Sequence, residues 1–214
     1  MILLLPGNTT RSLQVIGDDR RHYGWLLTRK RTMTRAGIHG LPYGVDNQCY
    51  TGRFEPAAYT RILKRIARTH GTERALFAAA PDVVGNARAT LQLARTWLPL
   101  LRRLGFPAAL VAQDGLEALA VPWHSLDALF IGGTTAWKLS PAAGNLMAEA
   151  RDRGKHIHVG RVNSFTRVDG LPGRPDSIDG THFRFRPNKY LRRWHRQYLR
   201  RLQAGAYPYD REAA

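Results

Sequence analysis

Short apolar runs recur along the chain with longer helical patterns between them, and this alternation constrains the fold more than any other feature. Continuous apolar runs of this length are typical of parallel strands that are buried on both faces. They predict strands at Ile2–Leu5, Leu76–Ala80, Ala108–Ala112, Ala128–Ile131 and His156–Gly160, with weaker candidates at Tyr43–Asp46 and Ser177–Asp179.

The segments between these runs carry helix-starting signals. Pro56 suits the first position of a helix, Asn86 can cap a second, and Ser140 followed by a proline can cap a third. Repeated strand–helix units predict a parallel α/β fold, either a (β/α) barrel or an open doubly wound sheet. Because about seven strands are predicted, an eighth barrel strand would be degenerate or missing. The basic segment Arg11–Arg35 is predicted to be helix plus loop.

Length and charge indicate the organisation and the class of partner. The 214 residues predict a single barrel domain over 1–214, and 43% hydrophobic residues exclude wholesale disorder. Thirty-three Lys and Arg residues against 16 Asp and Glu residues give a net charge of +17. This excess of positive charge favours a nucleic acid as the partner, and an anionic membrane is the second candidate. The remaining alternative is a basic surface that is solvated and binds no polyanion.

Cysteine content and hydropathy exclude other classes. The single cysteine, Cys49, excludes an internal disulfide framework and a cysteine-rich zinc site. No segment approaches the ~18 apolar residues of a membrane span, and the apolar start is too short for a signal peptide. We therefore expect a cytoplasmic protein, in the host cytoplasm if the chain is viral.

The segment 184–203 is predicted to be a basic amphipathic helix. Its apolar positions, Leu191, Trp194, Tyr198 and Leu202, fall at helical spacing and should pack on the barrel. Its basic residues would then face phosphates, although a helix lying on a membrane surface is the competing interpretation. The predicted nucleic-acid-binding residues are Arg184, Arg186, Lys189, Arg192, Arg193, Arg196 and Arg200.

Polar or glycine residues directly follow most of the predicted strands. In a parallel barrel the carboxyl ends of all strands open on one face, where the active site lies. Any one of these residues alone could be a helix cap or a turn residue. Together they predict one pocket that contains Asp46, Asp82, Gln113, Gly132, Gly133, Gly160, Arg161 and Asp179.

These side chains suit chemistry at a guanine glycosidic bond. Two aspartates can serve as nucleophile and acid/base in glycosyl transfer. A carboxylate can accept from N1–H and the N2 amino group of guanine, while an amide or a backbone N–H donates to O6.

At these residues the sequence resembles the tRNA-guanine transglycosylase superfamily, most closely the phage and bacterial 7-deazaguanine DNA transglycosylases of the DpdA type. The resemblance implies a TIM barrel that exchanges guanine for a 7-deazaguanine through a covalent enzyme–sugar intermediate. The segments that carry it occur in the family's order and are Gly44–Tyr50, Ala80–Gly85, Val111–Gly115, Phe130–Gly133, Gly160–Ser164 and Asp176–Thr181.

The resemblance also implies a role for individual residues. Asp179 corresponds to the nucleophile at the sugar C1′, in preference to the nearby Asp176, and Asp46 to the general acid/base. Asn47 stands where a serine that helps to bind the base is usual. The remaining substrate-binding positions are Asp82 and Gln113 at the guanine edge, Gly132 and Gly133 at the base carbonyl, and Gly160 and Arg161.

Two departures from the tRNA enzymes favour the DNA branch. The three-cysteine, one-histidine zinc site of those enzymes is absent from the sequence, and the chain is much shorter than they are. The expected partners are therefore DNA and a free base such as 7-cyano-7-deazaguanine, and no cofactor is expected. No metal is expected either, because His156 and His158, which share one face of a strand, lack a third ligand nearby. The alternatives are an RNA-directed transglycosylase, a base-excising glycosylase and a non-catalytic nucleic-acid-binding barrel.

Overall fold

Eight parallel strands close into a barrel in the order in which they occur along the chain. The computed structural model describes residues 1–6, 9–18, 20–29, 38–52, 54–185 and 187–204. Hydrogen-bonded pairing of the last strand with the first, with Leu4 opposite Asp179, closes the barrel. The strands are β1 Ile2–Leu5, β2 Tyr23–Leu27, β3 Tyr43–Val45, β4 Ala75–Ala79, β5 Ala108–Ala112, β6 Ala128–Ile131, β7 His156–Val159 and β8 Ser177–Asp179.

The predicted barrel is confirmed, and the open doubly wound sheet is excluded. The prediction of helix plus loop over Arg11–Arg35 is wrong in part, because β2 lies within it; residues 30–35 are outside the described part. All five residues of β2 are buried, and the strand pairs with both β1 and β3. Its apolar run is hidden in the sequence by Gly24 and by the flanking basic residues Arg20, Arg21 and Arg29.

Helices follow most of the strands and cover the outside of the barrel. The predicted helix starts are confirmed: Pro56 is the first residue of α2, Asn86 Oδ1 accepts from the Ala89 N–H at 3.0 Å, and Ser140 caps α5. The helices are α1 Thr9–Ile16, α2 Pro56–His70, α3 Ala87–Arg103, α4 Thr135–Lys138, α5 Pro141–Asp152, α6 Phe165–Asp169, α7 His182–Phe185 and α8 Pro187–Gln203.

Part of the barrel interior is a small apolar cluster, separate from the larger core between the strands and the helices. It contains Leu4, Leu26, Phe77, Ala109 and Ala128, which come from five different strands. Because strand side chains alternate between the two faces of a sheet, these positions point inward while their neighbours pack against helices.

The predicted basic helix is present as α8 and packs on the barrel. Residues 184 and 185 of the predicted range belong to α7, and residue 186 lies outside the described residues. On α8, Leu191, Trp194 and Tyr198 are buried, and the Trp194 ring stacks on Phe165 with centroids 4.1 Å apart. Among the described residues, no helix is both long enough and apolar enough to cross a membrane.

Candidate active site

A cavity of about 380 Å³ opens at the carboxyl-terminal mouth of the barrel. This volume lies within the usual range of small-molecule sites. Among the predicted substrate-binding and catalytic residues, Gly133 does not line it. Those that do line it are Asp46, Asn47, Asp82, Gln113, Gly132, Gly160, Arg161 and Asp179.

Two side-chain amides hold the carboxylate of Asp82. Asn47 Nδ2 donates to Asp82 Oδ1 at 2.8 Å, and Gln113 Nε2 donates to Asp82 Oδ2 at 2.7 Å. The far end of each amide is also bonded, since Asn47 Oδ1 accepts from the Cys49 N–H and Gln113 Oε1 from the Gly85 N–H. Both amides therefore have one orientation, and the carboxylate is presented rigidly to the cavity.

Asp46 follows β3 and has far fewer partners. Its N–H continues the barrel ladder to the Leu27 carbonyl, and its Oδ1 accepts from the Gln48 N–H at 3.2 Å. Burial raises the pKa of Asp46 to about 7, and the nearby charges of Asp179 and Asp82 add to this increase. A carboxyl group with this pKa exists in both protonation states near neutral pH, as an acid/base catalyst requires.

Asp179 ends β8 and is 5% exposed at the floor of the cavity. Its Oδ2 lies 3.0 Å from His158 Nε2, and its Oδ1 accepts from the Arg161 N–H at 3.2 Å. Asp176 lies at the opposite end of the same strand, where its Oδ2 accepts from the Ile157 N–H. Of the two aspartates, only Asp179 therefore reaches the cavity.

The glycine pair after β6 has its backbone groups already occupied. Both N–H groups of Gly132 and Gly133 donate to the Ala112 carbonyl, at 2.9 and 3.2 Å. Their carbonyls accept from Arg161 Nη2, whose guanidinium also lies over the Tyr50 ring. Both glycine N–H groups are therefore engaged within the barrel, whereas Gln113 Nε2 has a second N–H besides the one that it donates to Asp82.

Glycine at position 132 also provides space for Gln113. A Cβ atom there would lie 2.9 Å from Gln113 Nε2 and 2.7 Å from Val111 Cγ1. Any side chain at this position would therefore displace the amide that braces Asp82.

Three side chains in or beside the site were not selected as site residues from the sequence. His158 contacts Asp179, and the only sequence signal was its alternation with His156. Lys138 is buried with its Nζ 2.7 Å from the Gly160 carbonyl, and burial lowers its pKa to about 8. Tyr50 is 67% exposed at the cavity rim, beneath Arg161.

Cys49 is packed beside the cavity, and burial raises its thiol pKa to about 12. Its sulfur accepts from the Asp82 N–H at 3.5 Å, which suits a structural thiol better than a nucleophile. Within the part of the chain that the structure describes, no group of three or more His, Cys, Asp or Glu side chains is arranged to hold a metal ion.

Two basic surfaces lie on the outer helices α8 and α2. On α8, Lys189, Arg192, Arg193, Arg196 and Arg200 are exposed, as predicted for outward-facing basic residues. The side chain of Arg184 and the whole of Arg186 lie outside the described residues. A second basic groove along α2 was not predicted; its basic lining residues are Arg29, Arg61, Lys64, Arg65 and Arg68.

Comparisons with known proteins leave the site to be interpreted from its own chemistry. No protein-family model matches the chain, and no curated protein matches it.

Proposed function

We propose that this protein is a DNA guanine transglycosylase, which exchanges a guanine in DNA for a 7-deazaguanine such as 7-cyano-7-deazaguanine. The observation that carries the proposal is that two unlike aspartates, Asp46 and Asp179, line one cavity with the amide-braced Asp82. The resemblance assigns the acid/base role to Asp46, the nucleophilic role to Asp179 and recognition of the base to Asp82. They come from β3, β8 and the loop after β4, so only the closed barrel brings them together.

The geometry at Asp82 suits the edge of guanine. Each carboxylate oxygen that accepts one amide N–H retains a second lone pair for a ligand. Those lone pairs would accept from N1–H and the N2 amino group, and Gln113 would donate its second N–H to O6. A 7-deazaguanine has the same edge, so one pocket serves both the departing and the incoming base.

The exchange proceeds in two balanced displacements. An Asp179 carboxylate oxygen attacks C1′ while the C1′–N9 bond breaks; the electron pair leaves with guanine, which takes a proton from Asp46. The incoming 7-deazaguanine then gives its N9 proton to Asp46 and attacks C1′, and Asp179 leaves with the electron pair of the ester bond. Two inversions retain the configuration of the sugar, and Asp46 returns to its starting state.

The basic surfaces support a nucleic acid as the polymeric substrate. A target guanine must leave the base stack to reach the cavity, at a cost of a few kcal/mol. Phosphate contacts to the exposed basic residues of α8 and to the α2 groove would offset that cost.

The deciding experiment mixes the protein with DNA and candidate 7-deazaguanines and analyses the digested nucleosides by mass spectrometry. We expect incorporation by the wild type and none by Asp179→Asn. Asp176→Asn is the matched control, because Asp176 lies outside the cavity, and it should retain exchange. Exchange into tRNA without exchange into DNA would replace this proposal with the RNA-directed enzyme, and abasic sites formed without an added base would replace it with a base-excising glycosylase.

A further inference from the structure

Four side chains form a hydrogen-bonded chain through the barrel interior and end on Asp179. His156 Nε2 and His158 Nδ1 each lie 2.8 Å from Ser177 Oγ. His158 Nε2 lies 3.0 Å from Asp179 Oδ2. The members alternate along β7 and β8, so they all project from the same face of the two paired strands.

The chain is enclosed. His158 and Ser177 are both fully buried. The His158 ring packs between Phe77 and Phe130, with ring centroids 4.6 and 4.4 Å away. Because Phe130 also lines the cavity, His158 lies directly beneath the floor that supports the substrate.

Hydrogen-bond chemistry gives the chain one direction. An ionised Asp179 can only accept, so His158 Nε2 must carry the proton. With a single ring proton, His158 Nδ1 then accepts from the Ser177 hydroxyl, whose oxygen accepts from His156 Nε2–H. Burial lowers the pKa of His156 to about 4, which keeps that ring neutral at pH 7 and leaves one tautomer able to donate to Ser177.

We propose that His158 is a positioning residue that holds the Asp179 carboxylate in its reactive orientation, while Ser177 and His156 fix the His158 tautomer. With Oδ2 held by His158 and Oδ1 by the Arg161 N–H, the carboxylate cannot rotate away from C1′. The His158 N–H also stabilises the negative charge that returns to Asp179 when the sugar ester breaks. The kinetic consequence rests on the proposed transglycosylase function; the hydrogen-bond chain does not.

The tautomer is measured on the intact protein by long-range ¹H–¹⁵N NMR of its histidine rings, with His158→Gln used to assign the signals. We expect a protonated Nε2 and an unprotonated Nδ1 at pH 7, and a shift of the Nε2 signal in Asp179→Asn. An unprotonated His158 Nε2, or signals insensitive to Asp179→Asn, would overturn the proposal whether or not the protein is an enzyme.

The positioning role is measured as the rate of covalent protein–DNA adduct formation in a single turnover. His158→Phe fits the aromatic surroundings but lacks the N–H, so the rate should fall at least about tenfold while DNA affinity and the KM for the base stay unchanged. His158→Gln restores an N–H donor and should recover most of the rate. His156→Phe, the same substitution one step further from Asp179, should lose less than His158→Phe.

The controls separate the possible failures. Ser177→Ala keeps the His158 ring but removes the Ser177 hydroxyl that donates to His158 Nδ1. This variant therefore tests the same hydrogen-bond chain if His158→Phe does not fold, and we expect a partial loss of the rate of adduct formation. Equal rates in the wild type, His158→Phe and Ser177→Ala would overturn the positioning role. A wild type that forms no covalent adduct with DNA and exchanges none of the supplied bases would instead overturn the proposed function, while the NMR result still decides the hydrogen-bond chain.

Discussion

At the scale of single residues, the cavity contains three carboxyl groups in three different environments. Asp82 is held by two amides, Asp179 by a ring N–H and a backbone N–H, and Asp46 by little besides the Gln48 N–H. Burial raises the pKa of both Asp46 and Asp82, but the bonded amides oppose that increase at Asp82. The proposed division of tasks among the three aspartates rests on these different environments.

The raised pKa of Asp46 predicts a pH dependence of stability. The carboxyl binds a proton up to about pH 7 when folded but only to about pH 4 when unfolded, so the native state binds more protons in that window. This group therefore makes the protein less stable as the pH rises from about 4 to 7. Asp46→Asn should raise Tm at pH 8 by at least about 2 °C relative to the wild type, with little difference at pH 4. A Tm difference independent of pH would contradict the assignment.

The bracing of Asp82 predicts the effect of an isosteric change. Asp82→Asn must place its own NH₂ group against either the Asn47 or the Gln113 NH₂, and one donor then loses its acceptor. An unpaired buried donor costs about 1–3 kcal/mol, so base exchange should fall at least about tenfold while the protein still folds. Exchange rate and thermal unfolding are measured together. Asp114→Asn, next to Gln113 but outside the cavity lining, should leave exchange close to the wild-type rate.

At the scale of elements, α8 and α2 each bury an apolar face and expose a basic one. Leu191, Trp194 and Tyr198 attach α8 to the barrel, while Tyr59, Ile62, Leu63 and Ile66 attach α2. In each case the apolar spacing also orients the basic residues outward. If the proposed nucleic-acid substrate is bound, the two helices should therefore contribute separately to its affinity.

Salt titration of DNA affinity distinguishes these contributions. Each phosphate contact adds about 0.7–0.9 to the log–log slope, so replacing Arg192, Arg193, Arg196 and Arg200 by Ala should lower the slope by about three. Replacing Arg61, Lys64 and Arg65 on α2 should lower it by about two. Arg153→Ala is the control, because Arg153 already pairs with Glu149 at 2.9 Å. An unchanged slope in the α8 variant would remove that helix from the binding surface.

At the scale of the whole molecule, closure of the barrel makes the site. The first and last strands must pair for Asp179 to enter the same mouth as Asp46, and β2 is the link between β1 and β3. The chain carries a net charge of +17, yet the cavity at the mouth is lined by three aspartates. The proposed function uses both features, because a net positive charge favours a polyanion and the aspartates lie where its base would enter.

Closure through β2 depends on Gly24, where a Cβ atom would lie 2.6 Å from the Pro42 carbonyl oxygen and 2.7 Å from Leu4 Cδ2. Overpacking of this kind costs about 1–3 kcal/mol, so Gly24→Ala should lower the unfolding temperature of the protein by several degrees. Gly170→Ala is the matched control, since its nearest contact would be 3.4 Å. Equal Tm values for the two variants would show that the barrel accommodates a methyl group at position 24 without loss of stability.

The sequence by itself determined most of the strands and the membership of the site. Apolar runs predict buried parallel strands, and parallel closure sends every strand end to one mouth, so Asp46, Asp82, Gln113 and Asp179 were predictable without coordinates. β2 was not, because its short run contains Gly24 and lies between arginines, and local hydropathy cannot reveal pairing with β1 and β3.

Only the tertiary structure decided how the site residues are held. The bonds from Asn47 and Gln113 to Asp82, and from His158 to Asp179, join residues that are 35, 31 and 21 positions apart in the chain. Such contacts depend on strand register, since a shift of one residue turns a side chain to the opposite face of the sheet. Burial, which sets the pKa of Asp46, likewise exists only once the barrel has closed.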